Sequence, residues 1–146
     1  MLARRELSES QVRQRLARRH HSQDDIDAAV ERLRNQRAID DERVAETIAR
    51  NEVSVKRRGE RRVRTRIAQA GIAPALARRA AREASEAVDP EAQIEAALAK
   101  RLRRRTQIAD EREFRRLFRY LAGQGFEPDR ILRVLKSRSN RKDWPD

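Results

Sequence analysis

Apolar residues along this chain recur at intervals of three and four. That period stacks side chains on one face of an α-helix and argues against strands. Read with its start signals, the pattern predicts helices at about 8–19, 23–37, 41–57, 60–70, 74–87, 90–105, 110–123 and 128–138. Ser8 with Gln11, Ser22 with Asp25 and Asp110 with Glu113 have the spacing of capping boxes. Asp40 can cap the helix that starts at Asp41. Pro74, Pro90 and Pro128 each fit a first helical position, where the missing N–H costs nothing. Met1 to Leu7 reads as the end of a further helix. The segment after Ser137 reads as a polar tail with Trp144 isolated in it.

The stretch from Asp40 to Ile72 shows the plan. Val44, Ile48 and Val55 mark one helical face, and Gly59 interrupts the pattern. Val63 and Ile67 begin a second stripe that ends at Gly71. Lys56, Arg57 and Arg58 lie between the stripes, and Arg61, Arg62, Arg64 and Arg66 follow. With Val63 and Ile67 turned inward, Arg61 and Arg62 point outward while Arg64 and Arg66 flank the core.

The pattern also repeats. Val12, Leu16, His20 and His21 align with Val63, Ile67, Gly71 and Ile72, and again with Leu117, Leu121, Gly125 and Phe126. In each copy a helix runs into a two-residue break and a second helix follows. Ile26 and Val30 in the first copy match Ile131 and Leu135 in the third. The expectation is an all-α, extended, solenoid-like array of nearly three tandem three-helix repeats. The units span 1–39 (its first helix truncated), 40–88 and 89–138, with 139–146 as the tail.

Composition fits such an array. Of 55 apolar residues, 22 are alanine, so 33 larger side chains must fill every core position. Charged residues make up 41%, which suits long helices or helical repeats. The net charge of +12 implies a polyanionic partner or an acidic protein surface. Arginine outnumbers lysine 32 to 4. Its fork pairs bidentately with carboxylates and phosphates. Coding in a GC-rich genome raises arginine and alanine together and accounts for the same bias without a ligand.

Candidate chemistry is sparse. The absence of cysteine excludes disulfides, thiolate metal sites and Cys nucleophiles. No run approaches the roughly 20 apolar residues of a membrane span, and MLARRELSE is no signal segment, so a cytoplasmic chain is expected. No Gly-rich phosphate loop is present. His20 and His21 point about 100° apart on a helix and cannot share a metal; a helix-terminal role suits them. Asp24, Asp25, Asp40, Asp41 and Glu42 sit at helix starts, where they complement the dipole. Phe114, Phe118, Tyr120 and Phe126 are at core spacing. No cofactor, metal or catalytic residue is expected. The remaining signal is cationic: Lys56, Arg57, Arg58, Arg61, Arg62, Arg64 and Arg66 form one cluster. Lys100, Arg103 and Arg104 form another, on the outer side of the helix that carries Ile94, Leu98 and Leu102. Arg101 and Arg105 fall nearer that stripe and can snorkel.

Asp40-Asp-Glu-Arg-Val-Ala-Glu46, Arg57-Arg-Gly59, Arg61-Arg-Val-Arg64 and Ala70-Gly-Ile72 resemble the central repeat of the RecX family, bacterial regulators of RecA. Leu2-Ala-Arg-Arg-Glu-Leu-Ser8 is similar to that family's N-terminal signature, and Phe114 through Ile131 to its last repeat. His20-His21 stands where the family usually has Gly and an aromatic, and Val44 where Phe is usual. The resemblance implies a monomeric, non-enzymatic protein of three-helix repeats. It implies partners in RecA and the RecA–DNA filament, whose groove it occupies, repressing ATP hydrolysis, strand exchange and coprotease activity. The two cationic clusters would contact RecA or DNA. The competing reading is direct binding of single- or double-stranded DNA by tandem trihelical units, but no third helix carries a clear base-reading set.

Overall fold

The computed structural model describes residues 6–139. Among them are eight helices and no strand: α1 (Glu9–Arg18), α2 (Gln23–Asn35), α3 (Asp41–Ser54), α4 (Glu60–Gln69), α5 (Pro74–Glu86), α6 (Pro90–Leu102), α7 (Glu111–Gly123) and α8 (Pro128–Ser137). Of the Met1–Leu7 segment, Glu6 and Leu7 are described and are not helical. The expectation for the remainder, and that for Trp144, lie outside the described residues.

The starts follow the caps. Ser8 Oγ accepts from the Gln11 N–H, and the Gln11 side chain accepts from the Ser8 N–H, completing the box. Ser22, Asp40 and Asp110 each accept from an N–H of the first turn, and Asp89 does the same for α6. Such caps contribute about 1 kcal/mol each. Pro74, Pro90 and Pro128 open their helices.

Two helices stop early. α3 ends at Ser54 instead of about 57, and α6 at Leu102 instead of about 105. Arg57 and Arg103 take left-handed backbone there, with φ of 55° and 58°. The Lys56 N–H closes the α3 end on Asn51 O at 3.2 Å, and the Arg58 N–H folds the following loop back onto Glu52 O at 3.0 Å. Val55 is therefore 67% exposed and not part of the core face. The inward residues of α3 are Val44, Ala45, Ala49 and Val53, with Ile48 half-buried.

The buried apolar residues fall into three clusters. The first holds Ile26, Val30 and Ile39, with Val12, Leu16 and Leu33 against them. The second is built on Val63 and Ile67 where α3, α4 and α5 meet. In the third, Ile94, Leu98, Leu121, Ile131 and Leu135 are buried between α6, α7 and α8. Phe114 and Phe126 are core residues, while Phe118 and Tyr120 pack at its edge. The accessible surface of 10594 Å² exceeds the roughly 7,800 Å² that a compact monomer of this mass shows. The fold is an all-helical tandem array.

Successive clusters dock by one device: a helix start meets the turn between two helices of the following cluster. At α1, Ser8 Oγ donates to Ala70 O, and Glu9 N–H donates to Asp41 Oδ1 at 2.9 Å. A Cβ on Gly71 would run into the Ser10 side chain. At α4, Gly59 N–H donates to Gln124 O at 2.8 Å and Arg61 N–H to Gly125 O at 3.3 Å. A Cβ on Gly125 would lie 2.5 Å from Arg62 N, and one on Gly59 2.5 Å from Phe126 N. His20, Gly71 and Gly125, which the sequence aligns, share positive φ values of 65°, 78° and 98°.

Candidate binding surface

The ten cationic candidates divide by what holds them. Lys56 and Arg58 are committed to Glu52, which is 2% exposed. Glu52 Oε1 accepts from Lys56 Nζ at 3.1 Å, and Oε2 accepts from Arg58 Nη1 at 2.7 Å. Burial pushes the Glu52 carboxyl up, but the hydrogen bonds from Arg58 and Lys56 outweigh it and hold its pKa below the ordinary carboxylate value. Removing Arg58 would strip a buried charge of its best partner, a change that costs several kcal/mol in comparable pairs. Arg58 is therefore not a free group of the cationic cluster. Arg62 is not one either. It is half-buried, it backs onto Gly125, and its Nη1 donates to Gly123 O at 3.3 Å.

Arg57, Arg61 and Arg64 are exposed and make no side-chain hydrogen bond or ion pair within the described residues, and neither does half-exposed Arg66. Lys100, Arg103 and Arg104 are likewise exposed and unpaired. Arg103 and Arg104 are not on the outer side of α6. They are the two corners of the turn that follows it, closed by Arg105 N–H to Leu102 O at 3.1 Å. Arg103 has φ 58° and ψ −115°, a region that costs a non-glycine residue about 1–3 kcal/mol. Arg101 stacks on the Tyr120 ring, 3.8 Å from its centroid. Arg105 grips Glu113 with two hydrogen bonds of 2.9 Å. Those bonds hold the Glu113 pKa below the ordinary value against the opposing effect of burial.

The fold brings Lys56 and Arg66 together in a groove of about 840 Å³, with Arg43 and Arg50 on its walls and Thr47 and Ile48 beside them. Among the described residues Arg50 has no partner, and sequence reasoning missed it. Its signal was available: Arg43, Thr47 and Arg50 form a polar stripe at helical spacing. Glu52 was missed too, because an acid among apolar positions reads as surface until its cations are placed. The Lys100–Arg104 group lies in a separate part of the chain, in the last turn of α6 and the turn that follows it.

Among the described residues, no group of three or more His, Cys, Asp or Glu is placed to hold a metal. No helix is long and apolar enough to cross a membrane. The surface offers fixed positive charge and forked donors, while Glu52 and Glu113 are occupied in holding the loops after α3 and α6.

A family model described as RecX, first three-helix domain, matches residues 1–33. A protein of Syntrophotalea carbinolica named Regulatory protein RecX is 33% identical over 132 residues, covering 86% of this chain and 83% of that protein. One of the same name from Chromohalobacter salexigens is 33% identical over 135 residues, covering 92% and 86%. The crystal structure of RecX from Lactobacillus salivarius superimposes with a TM-score of 0.77 at 17% identity, over 90% of this chain and 84% of that one. A second crystal structure, of a regulatory protein RecX, gives 0.70 at 21% identity, over 90% and 64%.

Proposed function

Because this chain belongs to the RecX family, we propose that it regulates RecA by lying along the groove of the RecA–DNA filament and repressing ATP hydrolysis, strand exchange and coprotease activity. It is a regulatory protein and not an enzyme. The observation that carries the reading is the similarity to proteins named Regulatory protein RecX over most of both chains. The geometry agrees with the reading. An elongated array of three units, 1–39, 40–88 and 89–138, can span neighbouring protomers of a filament. It carries exposed, unpaired cations in its second and third units. In this reading the protein acts as a monomer in the cytoplasm. Arg57, Arg61, Arg64, Arg66, Lys100, Arg103 and Arg104 meet RecA carboxylates or DNA phosphates, and Lys56, Arg58 and Arg62 hold the surface in shape.

The mechanism needs no chemistry of its own. A rod of this kind occupies the path of a second DNA strand, and its bridging contacts oppose the protomer movements that accompany hydrolysis. The test is to add the protein to filaments of its cognate RecA on single-stranded DNA. ATP hydrolysis and strand exchange should both slow at or below one molecule per protomer. Undiminished hydrolysis and exchange, with tight binding to bare DNA, would replace this reading with direct DNA binding.

A further inference from the structure

Six described residues have left-handed backbone: His20, Arg37, Arg57, Gly71, Arg103 and Gly125. At Gly71 and Gly125 the reason is contact, because a neighbouring helix start presses on them. His20, Arg37, Arg57 and Arg103 are exposed, lack a side-chain partner among the described residues, and hold positions where glycine is the least strained choice. Arg57 and Arg103 stand apart from the other two because the cations that flank them are held by neighbouring side chains. They also occupy corresponding places. Arg57 follows α3 and Arg103 follows α6, the first helices of the second and third helical clusters.

The surroundings of the two loops point the same way. Around Arg57, Lys56 and Arg58 are both consumed by Glu52. Around Arg103, Arg101 is held on Tyr120 and Arg105 on Glu113. The flanking cations thus brace each loop, and their donors are engaged by Glu52, Glu113 and the Tyr120 ring. What projects from each brace is an uncancelled guanidinium on a turn of fixed geometry, accompanied after α6 by Arg104.

We infer that Arg57 and Arg103 are the paired anchoring contacts of this protein, each inserting its fork onto a carboxylate of a protein partner. The inference rests on the filament reading above, and it selects the protein component over the nucleic acid. Affinity for nucleic acid grows with the number of phosphates neutralised. A loop built for phosphate would leave Lys56, Arg58 and Arg105 free instead of tying them to Glu52 and Glu113. A rigidly presented fork instead rewards a partner of matching shape, and carboxylate geometry matches it bidentately. Strained backbone clusters at sites where the residue it presents has a function.

The experiment uses the full chain, its Arg57→Gly/Arg103→Gly and Arg57→Lys/Arg103→Lys variants, a RecA–single-stranded DNA filament held with a non-hydrolysable nucleotide, and the same bare DNA. The glycine variant should melt a few degrees higher, about 2–5 °C, and bind the filament about 100-fold more weakly, roughly tenfold per lost fork. The lysine variant keeps the charge and should still lose about tenfold. Binding to bare DNA should change by less than about twofold in both. Filament binding within about twofold of wild type for the glycine variant overturns the inference. So does an equal loss on bare DNA with the salt slope flattened by about 0.7–0.9 per arginine, which assigns the pair to phosphate. If the wild-type protein itself fails to bind the filament, the regulatory reading falls and this inference falls with it.

Discussion

At the α1 junction side chains make the contact, whereas at the α4 junction the backbone makes it. Ser8 and Ser10 meet the Ala70–Gly71 turn through a hydroxyl and a Cβ. Gly59 and Arg61 meet the Gln124–Gly125 turn through amide N–H groups. The parts and their order are the same, but tolerance differs. A contact made by a side chain can be altered at one residue and restored at the other. A contact made between two backbones leaves nothing to trim, so both sides are confined to glycine.

The largest effect expected is at the backbone junction. Gly125→Ala forces a Cβ into φ 98° and to 2.5 Å from Arg62 N. It should cost at least about 3 kcal/mol, strain and overpacking together. Chemical denaturation measures this, and a loss below ~1 kcal/mol would show that the third cluster docks without close contact. Gly71→Ala should cost somewhat less, about 2–3 kcal/mol. Here the obstruction is the Ser10 side chain, so Ser10→Gly in the same chain should recover the clash and leave only about 1 kcal/mol of backbone cost. A double-mutant cycle reads this coupling directly, and a coupling of zero would break the contrast between the junctions. The smallest effect is Arg62→Ala. It removes one exposed hydrogen bond of 3.3 Å and leaves the backbone contact intact, so thermal melting should register within about 0.5–1 kcal/mol. A larger loss would mean that side chains carry the second junction as well.

Helix starts were legible because their caps are local. Ser8, Asp40, Asp110 and the three prolines act on N–H groups one turn away, so the residues that decide the structure are adjacent in sequence. The ends were legible to within a residue or two except after α3 and α6. After α3 the first glycine is Gly59, and it belongs to the start of α4. The true stop is Arg57, a residue whose type gives no sign of left-handed backbone. The error then spread: a helix drawn to 57 placed Val55 inward, when Val53 is the buried residue. The arginine face was visible as density of charge, but its division was not. Arg58 and Arg62 depend on Glu52 and Gly123, and Gly123 lies 61 residues along the chain from Arg62. Replacing Arg57, Arg58, Arg61 and Arg62 together would therefore disturb the fold and the binding surface at once. Arg57 and Arg61 are the pair that separates the two.

The docking of helix start onto turn gives the molecule a direction. Each junction is heterologous, so the two ends of the array differ as a plug differs from a socket. One end presents the His20–His21 turn and the other the start of α7 at Asp110. A two-fold axis through either end would bring together two like parts that do not fit each other. Any joining of ends must run head to tail. At the head, the place that glycine fills at both internal junctions is held by His20, whose Cβ stands where a neighbouring helix start would have to approach.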